Sequence, residues 1–258
     1  MLLEGKNAVI YGGGGKVGGA VARAFASEGA RVFLAGRTIA KLDVVAESIR
    51  SVGGVAETAQ VDALDEQAIE KHIGDVVERA RSIDVSFNAV SIQDVQLIPL
   101  VEMSREDFVR PISTGTTAHF LTARAAARQM ATQGSGVILT FSASAVRAFF
   151  PGVYVGGFGI ACTAIEALTK QLAAEVGPNG IRAVCLRSEG IPESWEAAAT
   201  EEWSASTDEI EAFLQERSLL GRVTTLADVG NAAAFIASDR AGATTGTVFN
   251  LTSGTVVD

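Results

Sequence analysis

The sequence predicts an α/β protein built on one doubly wound parallel sheet of about seven strands. Two observations predict it. Short apolar runs alternate with longer stretches of helical period along the whole chain, as when strands are joined by crossover helices and the sheet is covered on both faces. A glycine-rich loop, Tyr11-Gly-Gly-Gly-Gly-Lys-Val-Gly18, stands between the first strand and the first helix.

Asn7–Tyr11 (NAVIY) reads as strand one, and 17–28 as an amphipathic helix carrying Val17, Val21, Ala24 and Phe25 on one side. Residues 31–35 (RVFLA) form strand two and 38–52 helix two. Strand three is 55–61, helix three 65–81 and strand four 84–88. A helical region opens at Ser104 and runs to about 132, with a break expected near Pro111, because proline removes a backbone donor. Strand five is 137–141, a long helix spans 155–176, strand six is 181–187, residues 226–238 are helical, and 247–251 is the last strand. No linker or repeat interrupts this order, so residues 1–258 read as one domain.

A chain of 258 residues with 48% hydrophobic and 20% charged content has enough apolar mass for a core and is not disordered. A formal net charge of −9 argues against a general nucleic-acid binder, which needs cations for phosphates. Cys162 and Cys185 make neither a zinc pattern nor a disulfide framework and read as buried thiols in a reducing compartment. The N-terminal residues lack a basic segment followed by a long apolar run, so no secretory signal is expected. The uncharged stretch 148–165 contains Pro151 and four glycines, which argues against a membrane helix. A cytoplasmic protein with a small-molecule substrate is expected, with no nucleic-acid, membrane or metal partner.

The glycine loop carries the first functional signal. Gly13-x-Gly15-x-x-Gly18 fits the general dinucleotide fingerprint: glycines permit a tight turn, backbone approach to a pyrophosphate and close helix–strand packing. The helix that follows offers free N–H groups and a partial positive charge to an anion. A nucleoside-triphosphate loop fits less well, because Lys16 is not followed by Ser or Thr. After strand two the usual acid is missing, and Ala35-Gly36-Arg37-Thr38 stands instead. An acid there binds a ribose 2′-hydroxyl, whereas an arginine suits a 2′-phosphate. Arg37, with Lys16 nearby, therefore favours NADP(H) over NAD(H); an Arg37 that only stacks on adenine or stays solvated leaves either.

Over nearly its full length the chain resembles the short-chain dehydrogenase/reductase family. Gly12 and Gly18 match the first and last glycines of that family's TGxxxGxG loop, with Tyr11 and Lys16 in place of its Thr and middle Gly. Val61-Asp62 resembles its adenine-holding aspartate, and Asn88-Ala89-Val90 the end of its NNAG motif. Residues 166–175 (EALTKQLAAE) with Gly180-Ile-Arg182 resemble its long active-site helix and next strand, and Leu220-Gly-Arg-Val223, Phe235-Ile-Ala-Ser-Asp239 and Thr245-Gly246 its C-terminal third. The resemblance implies a seven-stranded Rossmann-type sheet and a homodimer or homotetramer. It implies a cofactor site formed by Gly12, Gly14, Gly15, Lys16, Val17, Gly18, Arg37, Thr38, Asp62, Asn88, Ala89 and Ile191.

The catalytic positions depart from the family's pattern. Aligned backwards from Glu166, Phe158 stands at the family's Tyr and Cys162 at its Lys, four residues on; the Asn falls near Gly115, and the Ser at 143–145 with Ser142 and Ser144 beside it. Ser188-Glu189 replaces the Pro-Gly after strand six. Phenylalanine has no proton to give, and positioned acid–base catalysis contributes roughly 10²–10⁴-fold. Ser144 and Tyr154 are the candidate substitutes. Tyr154 reads alternatively as a wall aromatic, and Ser144 as a strand-end hydroxyl bonded to backbone. His119, one turn after Gly115, reads as a candidate for the vacated Asn face or as a buried histidine. His72 is expected on the surface.

Residues 192–218 stand where the family has a mobile substrate lid and are acidic, with Trp195 and Trp203. The expectation is an NADP(H)-binding oxidoreductase of the short-chain type with a non-standard active site, acting on a carbonyl or a polarised C=C or C=N bond. The alternatives are a non-catalytic nucleotide-binding sensor or partner subunit, and a non-redox isomerase or lyase on the same fold.

Overall fold

A computed structural model describes residues 1–144, 154–195 and 206–257. Seven strands form one parallel sheet: β1 Asn7–Tyr11, β2 Arg31–Gly36, β3 Val55–Gln60, β4 Val85–Asn88, β5 Gly136–Ala143, β6 Ile181–Ser188 and β7 Thr247–Leu251. Their spatial order is β3-β2-β1-β4-β5-β6-β7. The order reverses between β1 and β4, which places a crevice beyond the carboxyl ends of those two strands.

The helices are α1 Lys16–Ser27, α2 Ile39–Arg50, α3 Glu66–Ala80, α4 Arg105–Gln133, α5 Gly156–Val176, α6 Thr207–Arg217 and α7 Leu226–Ala237. Successive strand residues point to opposite faces, and two cores follow. Ile10 and Leu34 pack with Val21, Phe25, Leu42, Val45 and Val229 of α1, α2 and α7. Val9, Tyr11 and Phe33 pack with Ile69, Ile73, Leu121 and Ala126 of α3 and α4. Both faces are covered at the centre of the sheet, which is why β1 and β2 read as near-continuous apolar runs rather than alternating.

The predicted elements are present, with boundaries shifted by a residue or two and two expectations corrected. The helix is not broken at Pro111: α4 continues through it. Pro111 lies in the second turn of α4, so only one ladder bond is lost, and the ring is buried at the seat of Gly157 in α5. His72 is buried at 4% exposure on α3, where its ring meets Tyr11 edge-on with centroids 5.9 Å apart. The charged neighbours Lys71, Asp75 and Arg79 take the outer face and leave His72 on the inner one. Ala123, Ala126 and Ala127 of α4 are buried within the chain.

The segment 192–218 contains a short 3-10 turn at Pro192–Ser194 and the helix α6, which starts with a capping box between Ser206 and Glu209. Glu196, Glu201, Glu202 and Trp203 lie outside the described residues. No described helix is long and apolar enough to cross a membrane.

Candidate functional site

The loop from β1 to α1 is shaped by backbone contacts that admit no side chain. Gly12 has φ +76°, and a Cβ there would stand 2.5 Å from the Ala89 carbonyl oxygen, in the loop after β4. A Cβ on Gly18 would stand 2.3 Å from the Gly12 carbonyl. The Gly12 and Gly13 N–H groups both donate to the Ala35 carbonyl at the end of β2, at 2.9 and 3.2 Å. The loop is thus pinned to both neighbouring strands at the crevice.

The start of α1 is open to a ligand. Its N-cap is Gly15, without a side-chain cap, and its first turn holds no acid. The starts of α3, α4, α6 and α7 each have a side-chain cap and an acid in the first turn, whereas α2 and α5 share the bare start of α1. Four N–H groups at a helix start lack intrahelical acceptors, so α1 keeps donors and positive dipole for an anion. This bare cradle fits a dinucleotide pyrophosphate. Gly15 and Lys16 are exposed at its rim, whereas the Val17 side chain packs into the core and leaves its backbone as the group facing the loop.

Further candidates surround the loop. Arg37 and Thr38 are exposed at the end of β2, and the Arg37 carbonyl accepts from Gln60 Nε2 at 3.0 Å. Asp62 is exposed after β3 and accepts from the Leu64 N–H through Oδ1. Asn88 is buried and fully engaged: Nδ2 donates to Thr122 Oγ1 at 2.8 Å and to the Ala118 carbonyl, and Oδ1 accepts from the Val90 N–H at 2.9 Å. It shapes the loop that Gly12 leans on rather than presenting its amide outward. Ile191 has its side chain in the core, 3% exposed, so what it offers a ligand is backbone.

The ends of β5 and β6 lie side by side, with Ala143 opposite Ser188. One residue further on, Ser144 Oγ donates to Glu189 Oε2 at 2.6 Å. Thr255 Oγ1, from the segment after β7, donates to the same oxygen at 2.9 Å, and Glu189 Oε1 accepts from the Gly190 N–H at 3.1 Å. Below this lies an apolar cluster of Ile92, Ala161, Cys162, Ile165 and Cys185, with Ala143 and Phe158 packed against it. Burial pushes the Cys162 thiol up to about 12, despite a hydrogen bond to the Ala143 backbone, and Cys185 to about 11. Neither thiol is a ready thiolate, as expected for core cysteines.

Deeper still is a buried ion pair. Arg187 Nε donates to Glu166 Oε1 at 2.8 Å, and Ser142 Oγ donates to the same oxygen at 3.1 Å. Removing either partner leaves a buried charge uncompensated, so the pair holds α5 to β6. His119 is 1% exposed; its Nδ1 pairs with the Gly115 carbonyl at 2.9 Å, while Nε2 lies toward the Asn88 backbone without a formed bond. Burial lowers this imidazole to about 4, so it is neutral.

The chain matches, over residues 15–255, the family model described as Enoyl-(Acyl carrier protein) reductase. The chain belongs to the short-chain dehydrogenase/reductase family. It is similar to an uncharacterized oxidoreductase of Thermotoga maritima, 29% identical over 266 residues that cover 99% of this chain and 98% of the relative. It is similar to tropinone reductase-like 2 of Erythroxylum coca, 30% identical, covering 93% and 86%. Among solved structures it resembles a short-chain type dehydrogenase/reductase from Mycobacterium marinum, with a TM-score of 0.87, 28% identity and coverage of 99% and 97%.

Within the short-chain dehydrogenase/reductase frame, the loop candidates Gly12 to Gly18 sit with Ala89 at the β1–β4 crevice. Ser144 stands at the end of β5; bonded to a carboxylate rather than to backbone, it differs from the strand-end reading. Tyr154 is 41% exposed before α5, with its carbonyl accepting from the Leu97 N–H at 2.7 Å, so it faces outward near the loop after β4. Sequence reasoning missed what Glu189 does. Its signal was the replacement of Pro-Gly by Ser188-Glu189, but the hydroxyls it gathers come from residues 45 and 66 positions away.

Proposed function

We propose that this short-chain oxidoreductase uses NADP(H) and transfers hydride without a tyrosine acid. Its substrates are then polarised C=C or C=N bonds rather than ordinary ketones. The packing of Phe158 over Cys162 carries that choice. The two are one turn apart on α5 and share an apolar cluster with Ile92 and Ala161. A Cβ on Gly115 would meet the Ile92 side chain at 3.3 Å, so an asparagine there needs that side chain to give by a few tenths of an ångström. The volume in which the family's resemblance places Tyr, Lys and Asn is filled with carbon and sulfur.

A reduced nicotinamide, when bound, supplies hydride. The glycine loop and the uncapped start of α1 hold its pyrophosphate, and Arg37 with Thr38 receives a 2′-phosphate. Lys16, Asp62, Ala89 and the Ile191 backbone line the same site. Ser144 with Glu189 faces the reacting end, Phe158 walls it, and Tyr154 stands at its mouth as the remaining phenol. Residues 192–218 serve as the lid. The protein works as a homodimer or homotetramer through α4 and α5, where Val109, Phe120 and Ile160 are left exposed. Light scattering at micromolar concentration reports that assembly.

Calorimetric titration tests the cofactor: NADPH binds and NADH binds more weakly. Equal affinity for the two removes the phosphate role of Arg37.

A further inference from the structure

We propose that Glu189 is a cation-binding carboxylate and that the substrate is a positively charged nitrogen compound: an iminium ion in the reducing direction, its secondary or tertiary amine in the other. This rests on the reading of the β5–β6 ends as the reacting end of a nicotinamide site.

Glu189 has an all-neutral environment at the carboxyl ends of the strands. It is half-buried at the junction of three strand ends, and all three of its partners are neutral: Ser144 Oγ, Thr255 Oγ1 and the Gly190 N–H. Among the described residues it forms no ion pair. An ionised carboxylate offers about four acceptor positions, so one remains, together with the whole formal charge. Some other buried or half-buried carboxylates are matched to cations, Glu166 to Arg187, Glu57 to Arg31 and Arg79, Asp228 to Arg222, whereas Asp84 at the start of β4, with only the Asn7 N–H and Ser82 Oγ as partners among the described residues, lies far from the crevice at the carboxyl ends of the strands. A half-buried charge gains most from a cation brought to it.

The neighbouring chemistry selects the same class. Phe158 and Cys162 leave no acid beside the reacting centre, and an iminium needs none. It already carries its activating charge. In the step, a C–H bond forms from the hydride of the reduced nicotinamide, and the C=N π pair becomes the nitrogen lone pair. The product is a neutral amine plus oxidised cofactor, and the amine takes its proton from water. Glu189 transfers nothing; it stabilises the cation before the step and holds the protonated amine after it. Ser144 and Thr255 fix the carboxylate by donating to Oε2, and Oε1, which accepts from the Gly190 N–H, keeps one acceptor position for the substrate.

Two titrations by calorimetry test this. NADPH is titrated first; then pyrrolidine, protonated at neutral pH, and cyclopentanol, a neutral ring of the same size, are each titrated into the NADPH complex. Pyrrolidinium binds roughly tenfold or more tightly than cyclopentanol. Glu189→Gln, which keeps the size and an acceptor oxygen, abolishes that preference. Glu78→Gln, which removes an exposed acid on α3, retains it. Melting curves show that each variant folds; a carboxylate that only stapled the strand ends would lower the melting point without a charge preference. Equal binding of the two rings by the parent, or a preference that survives Glu189→Gln, overturns the assignment while leaving the cofactor reading intact. Failure of NADPH to bind overturns the cofactor reading and the assignment that rests on it.

Discussion

Gly12 and Ala89 are in backbone contact: a Cβ on Gly12 would lie 2.5 Å from the Ala89 carbonyl oxygen. Two loops that leave different strands therefore close on one another at the reversal of strand order, and the glycine is required twice, by the contact and by φ +76°. Gly12→Ala should cost about 2–3 kcal/mol, adding left-handed strain to the overlap. The melting temperature should fall by roughly 4–10 °C, and NADPH binding should be lost. A variant with parental melting and affinity would show that the loops are not locked.

Arg37 stands exposed at the end of β2, where an acid would accept a ribose hydroxyl. Arg37→Asp should raise the Kd for NADPH by at least about tenfold, from loss of a charge-assisted bond of roughly 1.5–3 kcal/mol. It should leave NADH unchanged or improved. Parallel titrations of both cofactors check it, and an equal loss for both would assign Arg37 to the shared adenosine instead.

Two neutral imidazoles make stability depend on pH. Burial lowers both His72 and His119 from 6.5 to about 4. Folded protein then binds fewer protons than unfolded chain, so the contribution is complete above about pH 6.5 and is lost as pH falls toward 4. Each imidazole contributes on the order of 3 kcal/mol at most. His72→Phe keeps the ring against Tyr11, so its melting temperature should fall less steeply between about pH 7 and 4.5 than the parent's. An identical slope would place His72 in contact with water.

The sheet was legible because its signals are local. Apolar runs, glycine turns and helix starts such as Asp65 and Ser104 each act within a few residues, and both residues cap their helices. Pro111 misled because a single missing donor says nothing of Gly157 packing on it from a distant helix. His72 misled because burial depends on what stands across from it, here Tyr11 of β1. At the site, the absence of an acid at 158 and 162 could be read from residue types alone. The Glu189 cluster could not, since Ser144, Glu189 and Thr255 meet only after three strands are aligned.

Restoring an acid and its cation should restore ketone chemistry. Phe158→Tyr with Cys162→Lys should raise reduction of cyclohexanone by roughly 10²–10⁴-fold, the usual contribution of a positioned acid. Tyr alone should do less, because without a cation its phenol stays near pKa 10. The lysine enters an apolar cluster and should lower stability by several kcal/mol, so melting is read beside rate. A folded double variant with no gain on the ketone would place the reacting centre elsewhere.

The central claim is hydride transfer without an acid at position 158, and parent enzyme with matched substrates tests it most directly. NADPH oxidation is followed at the nicotinamide absorbance with N-methylpyrrolinium, cyclohex-2-enone and cyclohexanone in turn. The proposed function predicts turnover of the iminium or the enone and little of the saturated ketone. Reduction of cyclohexanone as fast as either of the others, unaffected by Tyr154→Phe and Ser144→Ala, would contradict it.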